Sequence, residues 1–330
     1  MRASWLIEGE TGRREGATIE AAELEREGVP SGFVPTEGWQ ALIDALMADD
    51  AAKARYGDIS EQYLGERLEP KAPADWTWTD FAANALYFSQ SVNPDSPTRY
   101  GTVIQMKNLL FNMMVFHSWP RSYGADWMDE AGNITVDSEA YRTALEMAKM
   151  LYDAGATPPD STSYEYAEAN AAFASGQVAA MVQWNAAAAE LTAAQPATGT
   201  FAPPAGPEGR FTHIHGLGLG LNKAAENKEG AIAFLQWLST GEAALAYARA
   251  GGAPGLAGDT VAALAAERPD LVQVGEYAST YGFVMRGATS ENALSVYEAQ
   301  AKEFTGYWAG TQDLDTAMTN ITASMTDLLK

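Results

Sequence analysis

The segment AFASGQVAAMVQWNAAAAEL, residues 172–191, constrains the fold more than any other part of the chain. Small residues at positions 174–176 allow a tight turn from a helix into the apolar strand VAAMVQ, because glycine adopts backbone conformations that other residues avoid. The strand leads to Trp184 and Asn185, and an alanine-rich helix follows. A short buried strand between two helices is typical of an α/β fold.

The alternation of helices and strands continues on both sides of this segment and predicts an α/β fold with largely parallel sheets. The predicted elements are a helix capped by Thr77 or Thr79 and ending at Phe88, a strand at 102–106, a helix at 108–118, a helix capped by Ser138 and closed by Gly155, a strand in THIHGLGLGLN, a helix opened by Asn227 and closed by Gly241, and two helices in the C-terminal tail.

Composition excludes several classes of protein. The chain has 330 residues and is 47% hydrophobic, so it can bury a sizeable core divided between two lobes. The formal charge of −22 repels phosphate backbones, so we expect no nucleic-acid partner. Cysteine is absent, which excludes thiolate metal sites, cysteine nucleophiles and disulfides.

Nothing in the sequence predicts a membrane span or a signal peptide. The most apolar window, LLFNMMVF, is much shorter than the roughly 20 residues that a helix needs to cross a bilayer. The first residues, MRASWLIEGETGRREG, lack the apolar core of a signal peptide.

The stretch EANAAFASGQVAAMVQWN resembles one found in the solute-binding proteins of ABC importers, where a helix passes through a glycine turn into a strand of the C-terminal lobe. Further stretches agree in order and spacing: TWTDF, GADWMDEAGNITVDSEAYRTALEMAKMLYDAG and GLGLGLNKAAENKEGAIAFLQWLSTGEAALAYARAGGAPG. Together they cover about residues 50–330. The resemblance is to the carbohydrate-type, maltose-binding-protein-like extracellular solute-binding proteins of family 1.

This resemblance implies a two-lobe periplasmic-binding-protein-like fold of type II, with a hinge between the lobes and the ligand in the cleft between them. It places residues 1–36 and 216–252 in the N-terminal lobe, and residues 37–215 and 253–330 in the C-terminal lobe. The implied protein is a periplasmic or extracellular, membrane-associated monomer. It binds a small solute, a carbohydrate or related polyhydroxylated compound, and delivers it to the transmembrane subunits of an ABC permease. No cofactor, bound metal or catalytic residue is implied.

The family has a further strand-helix-strand segment ahead of the region equivalent to LEREGVPSGFVP, whereas this chain starts almost there. We therefore expect the N-terminal lobe to be incomplete and the natural protein to extend upstream of Met1. The alternative is that residues 1–45 have diverged and are misplaced in this comparison.

Trp184 and Asn185 are the first candidates for ligand contact. Ligands of α/β sheets bind at the carboxyl ends of strands, where the face of Trp184 would cover the C–H face of a sugar ring. The amide of Asn185 can donate to and accept from hydroxyl groups. The alternative for Trp184 is a core position. Trp119 stands beside a proline near a helix end, where a side chain is equally suited to lining the cleft and to packing in the core. Trp127 is expected to have a structural role only.

THIHG places His213 and His215 on one face of a strand. Two histidines at this spacing can chelate a metal, but no third ligand lies near in sequence. A hydrogen bond from His215 to the ligand or backbone and a plain structural role stay open. The following GLGLG lacks the GxGxxG spacing of a dinucleotide loop, and Gly216 would let a ligand approach the backbone.

Two further stretches have alternative interpretations. GGAPG, residues 251–255, is either a surface turn or a hinge crossing between the lobes. Arg286 is one of few cations on an acidic chain and either binds a ligand hydroxyl or carboxylate, or pairs with a surface acid.

Two other functions compete with solute transport. A glycosidase needs two carboxylates flanking one bond, and no acid lies in a recognisable catalytic motif. A lectin-like sugar-binding protein would bind without hinge closure. The sequence favours a binding protein over an enzyme.

Overall fold

The computed structural model describes residues 3–7, 13–14, 17–18, 38–195, 198–216, 218–252, 254, 264, 267–285 and 292–329. Helices dominate this part of the chain. In chain order they are α1 (Gly38–Ala48), α2 (Asp50–Leu64), α3 (Trp78–Tyr87), α4 (Leu110–Phe116), α5 (Ser118–Ser122), α6 (Glu139–Asp153), α7 (Tyr166–Ala174), α8 (Ala188–Ala194), α9 (Lys228–Leu238), α10 (Gly241–Arg249), α11 (Pro269–Tyr281), α12 (Ala293–Trp308) and α13 (Leu314–Leu328).

The strands are short. In chain order they are β1 (Ala3–Ile7), β2 (Arg13–Arg14), β3 (Ala17–Thr18), β4 (Tyr100–Val103), β5 (Val178–Trp184), β6 (Gly199–Phe201), β7 (Thr212–His213) and β8 (Gly282–Phe283). The largest sheet of the described residues has the strand order β4–β5–β1–β6.

This sheet is mixed, which corrects the prediction of largely parallel sheets. Strands β4 and β5 are parallel, with Tyr100 opposite Val178 and Val103 opposite Met181. Strand β1 pairs antiparallel with both β5 and β6. The antiparallel strand comes from residues 3–7, a region in which the sequence pattern indicated no strand. Strands β7 and β8 form a separate parallel pair, and β2 pairs antiparallel with β3.

Helix α3 begins at a predicted cap, with Thr77 as the capping residue. The Thr77 Oγ1 accepts a hydrogen bond from Asp80 N at 3.2 Å, while Asp80 Oδ2 accepts from Thr77 N at 2.9 Å. Lys71 Nζ lies 3.0 Å from the same carboxylate oxygen, and the Asp80 side chain is 1% exposed. The buried Asp80 carboxylate therefore accepts hydrogen bonds from the Thr77 backbone N–H and from Lys71 at the start of the helix.

Replacing Asp80 by alanine is expected to lower the free energy of unfolding by about 1–2 kcal/mol, the usual size of losing a helix cap. The partly buried Thr77 N–H then loses its acceptor. Urea denaturation of both proteins measures the change. Asp75→Ala is the matched control, because Asp75 is an exposed carboxylate just before the helix. Equal stability losses in the two variants would contradict the role of Asp80.

The predicted turn into the central strand is confirmed. Helix α7 ends at Ala174 and β5 begins at Val178. Gly176 between them has φ 78°, a left-handed conformation that glycine adopts without strain. Gln195 Nε2 donates to Ala174 O at 2.7 Å and ties the chain after α8 to this turn.

Other helix ends agree with the sequence, with one exception. Ser138 Oγ accepts from Tyr141 N at 3.4 Å at the start of α6, and Asn227 Oδ1 accepts from Gly230 N at 2.9 Å at the start of α9. Gly241 does not close α9 as predicted. It is the first residue of α10, because Thr240 Oγ1 accepts from Ala243 N at 3.3 Å and caps the next helix there.

The main core lies between the large sheet and the C-terminal helices. The prediction of two helices in the C-terminal tail is confirmed. Helices α12 and α13 pack against each other, and α12 also contacts α4 and α6. The Trp308 ring is fully buried, 5.2 Å from the ring of Phe116, and its Nε1 donates to Leu145 O at 3.3 Å. Trp127, expected to be scaffold, is 1% exposed.

The glycine-rich stretch after His213 is not the predicted long strand. Only Thr212 and His213 form β7, and Ile214 N donates to Phe283 O at 2.8 Å. Beyond it, the described residues 218–222 form no strand, and the Leu219 side chain is 70% exposed. Glycine at alternate positions leaves one face without side chains to pack, which weakens a strand.

Helices α9 and α10 lie outside the main core. No described residue of α9 is buried, and Phe234 and Trp237 are 54% and 46% exposed. The main core takes no described residue from 216–252. The division of the chain into lobes at these positions stays a prediction. Of the helices in the described ranges, none is long and apolar enough to cross a bilayer.

Candidate functional site

The carboxyl ends of β4 and β5 lie side by side, because parallel strands finish at the same edge of a sheet. Trp184 is the last residue of β5, and a short 3-10 turn begins at Asn185. The predicted pair Trp184–Asn185 therefore lies at the edge where open α/β sheets bind ligands.

Two histidines lie beside Trp184 and form with it the Trp–His cluster. The Trp184 ring centroid is 6.2 Å from that of His213 and 6.3 Å from that of His215. The two imidazoles stack at 6.3 Å with planes 18° apart, so they share one side of the chain as predicted.

The members of the cluster differ in exposure. Trp184 is 4% and Asn185 2% exposed, whereas His215 is half-buried and Gly216 is exposed. A molecule approaching this edge therefore meets His215 and the backbone of Gly216 first, with Trp184 beneath them.

Burial favours the neutral form of both imidazoles. Burial, followed by the nearby His117 and His215, lowers the pKa of His213 from 6.5 to about 3. Neither ring nitrogen of His213 has a hydrogen-bond partner among the described residues. Partial burial also lowers the pKa of His215. Neutral imidazole offers one donor and one acceptor, the same pair that a hydroxyl group needs.

Arg121 packs against Phe283, whose ring neighbours that of His213. The His213 ring lies 5.5 Å from Phe283 of β8. The Arg121 guanidinium lies 5.5 Å from the ring of Phe211 and 5.7 Å from that of Phe283, and its Nη1 is 3.0 Å from Asp126 Oδ2. Ring faces and a carboxylate thus hold the guanidinium in place.

Trp119 lies in a neighbouring group of aromatic rings. Its indole stacks on that of Trp78 with centroids 4.2 Å apart and planes 6° apart, and the edge of Phe81 approaches at 6.0 Å. Trp119 is 3% exposed and lines a small cavity together with Val182 of β5. The cavity and the Trp–His cluster adjoin, because Val182 and Trp184 lie on the same face of the strand.

Helix α5 connects the two groups. Ser118 Oγ accepts a hydrogen bond from His213 N at 3.4 Å, and Trp119 is the next residue. The structure thus brings Trp184, Asn185, His215 and Gly216 to one edge and places Trp119 in the adjoining wall. Arg286 lies outside the described residues. Contact of these side chains with a ligand stays a prediction.

Sequence reasoning missed other residues of this region: Trp78, Gln105, Arg121 and Phe283. Trp78 was recognised only as a helix start, and its stacking on Trp119 joins distant parts of the chain. Gln105 follows β4 without any local signal. In the described part of the chain, no group of three or more His, Asp or Glu side chains is placed to hold a metal ion.

The sequence of residues 56–245 matches the family described as bacterial extracellular solute-binding protein. No curated protein matches the sequence.

Solved structures with similar folds carry bound sugars or polyols. The maltose-bound MalE3 of T. maritima is 22% identical with a TM-score of 0.68, over 83% of this chain and 69% of that chain. A ribitol complex of an ABC transporter solute-binding protein from Agrobacterium radiobacter K84 is 18% identical with a TM-score of 0.65, over 82% of this chain and 67% of that chain. A protein of the same kind from Thermotoga lettingae TMO, bound to α-D-tagatose, is 12% identical with a TM-score of 0.64, over 100% of this chain and 70% of that chain.

Proposed function

Because the chain belongs to the bacterial extracellular solute-binding proteins, we propose that it binds a sugar or related polyhydroxylated solute and delivers it to the transmembrane subunits of an ABC importer. The observation that carries this proposal is the Trp–His cluster at the carboxyl ends of β4 and β5. It combines an indole face with neutral donors and acceptors, which match the C–H groups and the hydroxyl groups of sugars and polyols. Maltose, ribitol and α-D-tagatose, the ligands of the similar structures, share that chemistry.

Each site residue has a proposed task. Trp184 supplies the apolar platform, and the amide of Asn185 and the imidazole of His215 bond to hydroxyl groups. The backbone at Gly216 lets the ligand approach closely, and Arg286 binds a hydroxyl or carboxylate of the ligand. Trp119 lines the inner wall. No catalytic step is part of this function.

Binding acts through closure of two lobes. The N-terminal lobe consists of residues 1–36 and 216–252, and the C-terminal lobe of residues 37–215 and 253–330, with a hinge at GGAPG. A ligand that touches both lobes only when they are closed shifts the population toward the closed form. The closed form is then the one that the permease recognises.

The same proposal includes where the protein acts and in which oligomeric state. The protein acts as a monomer, either in the periplasm or outside the cell in association with the membrane, without a cofactor or metal. Its formal charge of −22 suits a soluble carrier and disfavours nucleic acid.

Thermal unfolding with a panel of maltose, ribitol, D-tagatose and L-amino acids tests the proposal. A ligand at about a hundred times its Kd stabilises the folded state by about 2.7 kcal/mol, so we expect a clear rise in Tm with at least one sugar or polyol. Stabilisation by amino acids alone would overturn the proposal.

Two further measurements separate the competing functions. Small-angle scattering with the stabilising compound is expected to show a smaller radius of gyration, whereas a lectin would keep its open dimensions. A glycosidase would release the chromophore from nitrophenyl glycosides. Such release would overturn the binding-protein function, because that function needs no paired carboxylates.

A further inference from the structure

A small cavity lies between the stacked indoles of Trp78 and Trp119 and the strand β5. Its volume is about 40 Å³, and since one water needs about 10–15 Å³ of such space, it has room for about three water-sized atoms. The lining residues Ile104 and Val182 are partly exposed, so the cavity reaches the surface at the carboxyl end of the sheet. Trp184 lies two residues beyond Val182 on the same strand face.

Four residues that line the cavity have buried polar atoms without hydrogen-bond partners in the described part of the chain. These atoms are Nε2 and Oε1 of Gln105, Oδ1 of Asn112, and Nε1 of both Trp78 and Trp119. The residues are 6%, 1%, 2% and 3% exposed in the same order. Buried polar atoms in folded proteins nearly always have partners, so this set indicates a bound group.

Hydrogen bonds fix which atoms are donors and which are acceptors. Asn112 Nδ2 donates to Lys107 O at 3.0 Å and to Tyr164 O at 3.1 Å, so Asn112 offers the cavity only an acceptor. Gln105 offers both a donor and an acceptor, and the Trp78 indole offers a donor. The cavity therefore needs an occupant that both donates and accepts.

This requirement excludes most small chemical groups. A carboxylate only accepts and leaves Asn112 Oδ1 unpaired, and an ammonium only donates and leaves the Trp78 N–H unpaired. A methyl group neither donates nor accepts a hydrogen bond, so it leaves all of these buried polar atoms without a partner. A hydroxyl group donates and accepts, and the indole faces of Trp78 and Trp119 suit the CH₂ group that carries it.

We propose that the cavity receives the hydroxymethyl arm of the bound sugar and that Gln105 selects for its hydroxyl group. This inference rests on the proposed function, whose Trp–His cluster would hold the sugar ring beside the cavity. The protein then prefers sugars with a free CH₂OH group over their deoxy and carboxylate counterparts.

Titration calorimetry with matched sugars tests the preference. The probes are D-glucose, D-galactose and D-mannose, each with its 6-deoxy form and its 6-carboxylate. A site built to bond a hydroxyl discriminates strongly against an analogue without it, so we expect at least tenfold weaker binding of the 6-deoxy and carboxylate forms. Equal affinities would overturn the inference while leaving the proposed function intact. If none of these sugars binds although another sugar or polyol raises the Tm, this inference is wrong and the proposed function stands. If no sugar or polyol binds, both are wrong.

The variant Gln105→Leu separates the sugar arm from a cluster of ordered water. We expect it to bind the preferred sugar at least tenfold more weakly and to lose the preference for CH₂OH, with a higher Tm in the absence of sugar because an unpaired amide is gone. The control Gln195→Leu removes an amide that does not line the cavity and whose Nε2 donates to Ala174 O, so it leaves affinity unchanged. A Gln105→Leu protein that still prefers CH₂OH, or melts lower with unchanged affinity, would show that water fills the cavity.

Discussion

Lowering the pH from 7 to 4 is expected to destabilise the protein strongly, because His117 and His213 then take up protons in places where burial opposes charge. Burial lowers the pKa of His117 from 6.5 to about 4, against a hydrogen bond with Gln300 that raises it. The unfolded chain therefore binds more protons than the folded protein between about pH 6.5 and 4. Stability is full above pH 6.5 and falls as the pH approaches 4. His117 alone accounts for about 3 kcal/mol, and His213 adds a loss of similar size.

The surroundings of His117 contain no described partner that would hold its charge. The ring lies 5.6 Å from that of Tyr297 and 6.1 Å from that of Tyr141. Its Nε2 donates to Gln300 Oε1 at 2.6 Å, while its Nδ1 has no partner in the described ranges. Urea denaturation of wild type and His117→Gln between pH 7 and 4 measures the effect. The variant is expected to lose stability less steeply on acidification, and parallel curves would show that His117 does not contribute to the acid sensitivity.

Replacing Trp184 by alanine is expected to weaken binding of the sugar by about 1–3 kcal/mol, or roughly 5- to 150-fold, as for other aromatic anchors. The indole lies at the end of β5, and its ring centroid is 6.2 Å from that of His213 and 6.3 Å from that of His215. Its removal therefore takes away the apolar surface on which the sugar ring would pack. Calorimetry with the sugar selected by thermal unfolding measures the change. Trp184→Phe is expected to retain part of the affinity.

The control for Trp184→Ala is Trp127→Ala. Trp127 is equally buried but lies in the loop before α6, away from the Trp–His cluster. Its loss should lower the Tm without changing the affinity of the folded protein. Unchanged affinity in Trp184→Ala, or a variant that does not fold, would show that Trp184 is a residue of the hydrophobic core and not a ligand contact.

Helix starts and turns could be predicted from the sequence because neighbouring residues determine them. Thr77, Ser138 and Asn227 each cap a helix with their own side chain. Strand partners could not be predicted, since a strand finds its neighbour far along the chain. The pairing of β1 with β5 and of β7 with β8 therefore had no signal in the sequence.

The same distinction applies to the candidate site. Trp184 could be placed at the edge because it ends a recognisable strand, whereas the long strand predicted around His215 is only two residues long. The cavity could not be foreseen, because Trp78, Gln105 and Trp119 come from separate elements and meet only when the chain has folded. An amide such as Gln105 gives no sign in the sequence of being buried without a partner.

The face-to-face indoles of Trp78 and Trp119 have a spectroscopic consequence. Centroids 4.2 Å apart and planes 6° apart hold the two rings in fixed mutual packing. Near-ultraviolet circular dichroism depends on such fixed side-chain packing and vanishes when the packing is lost, even if helices remain. A group that enters the cavity touches both rings, because both line it. Binding in the cavity is therefore expected to change the near-ultraviolet spectrum of the unlabelled protein.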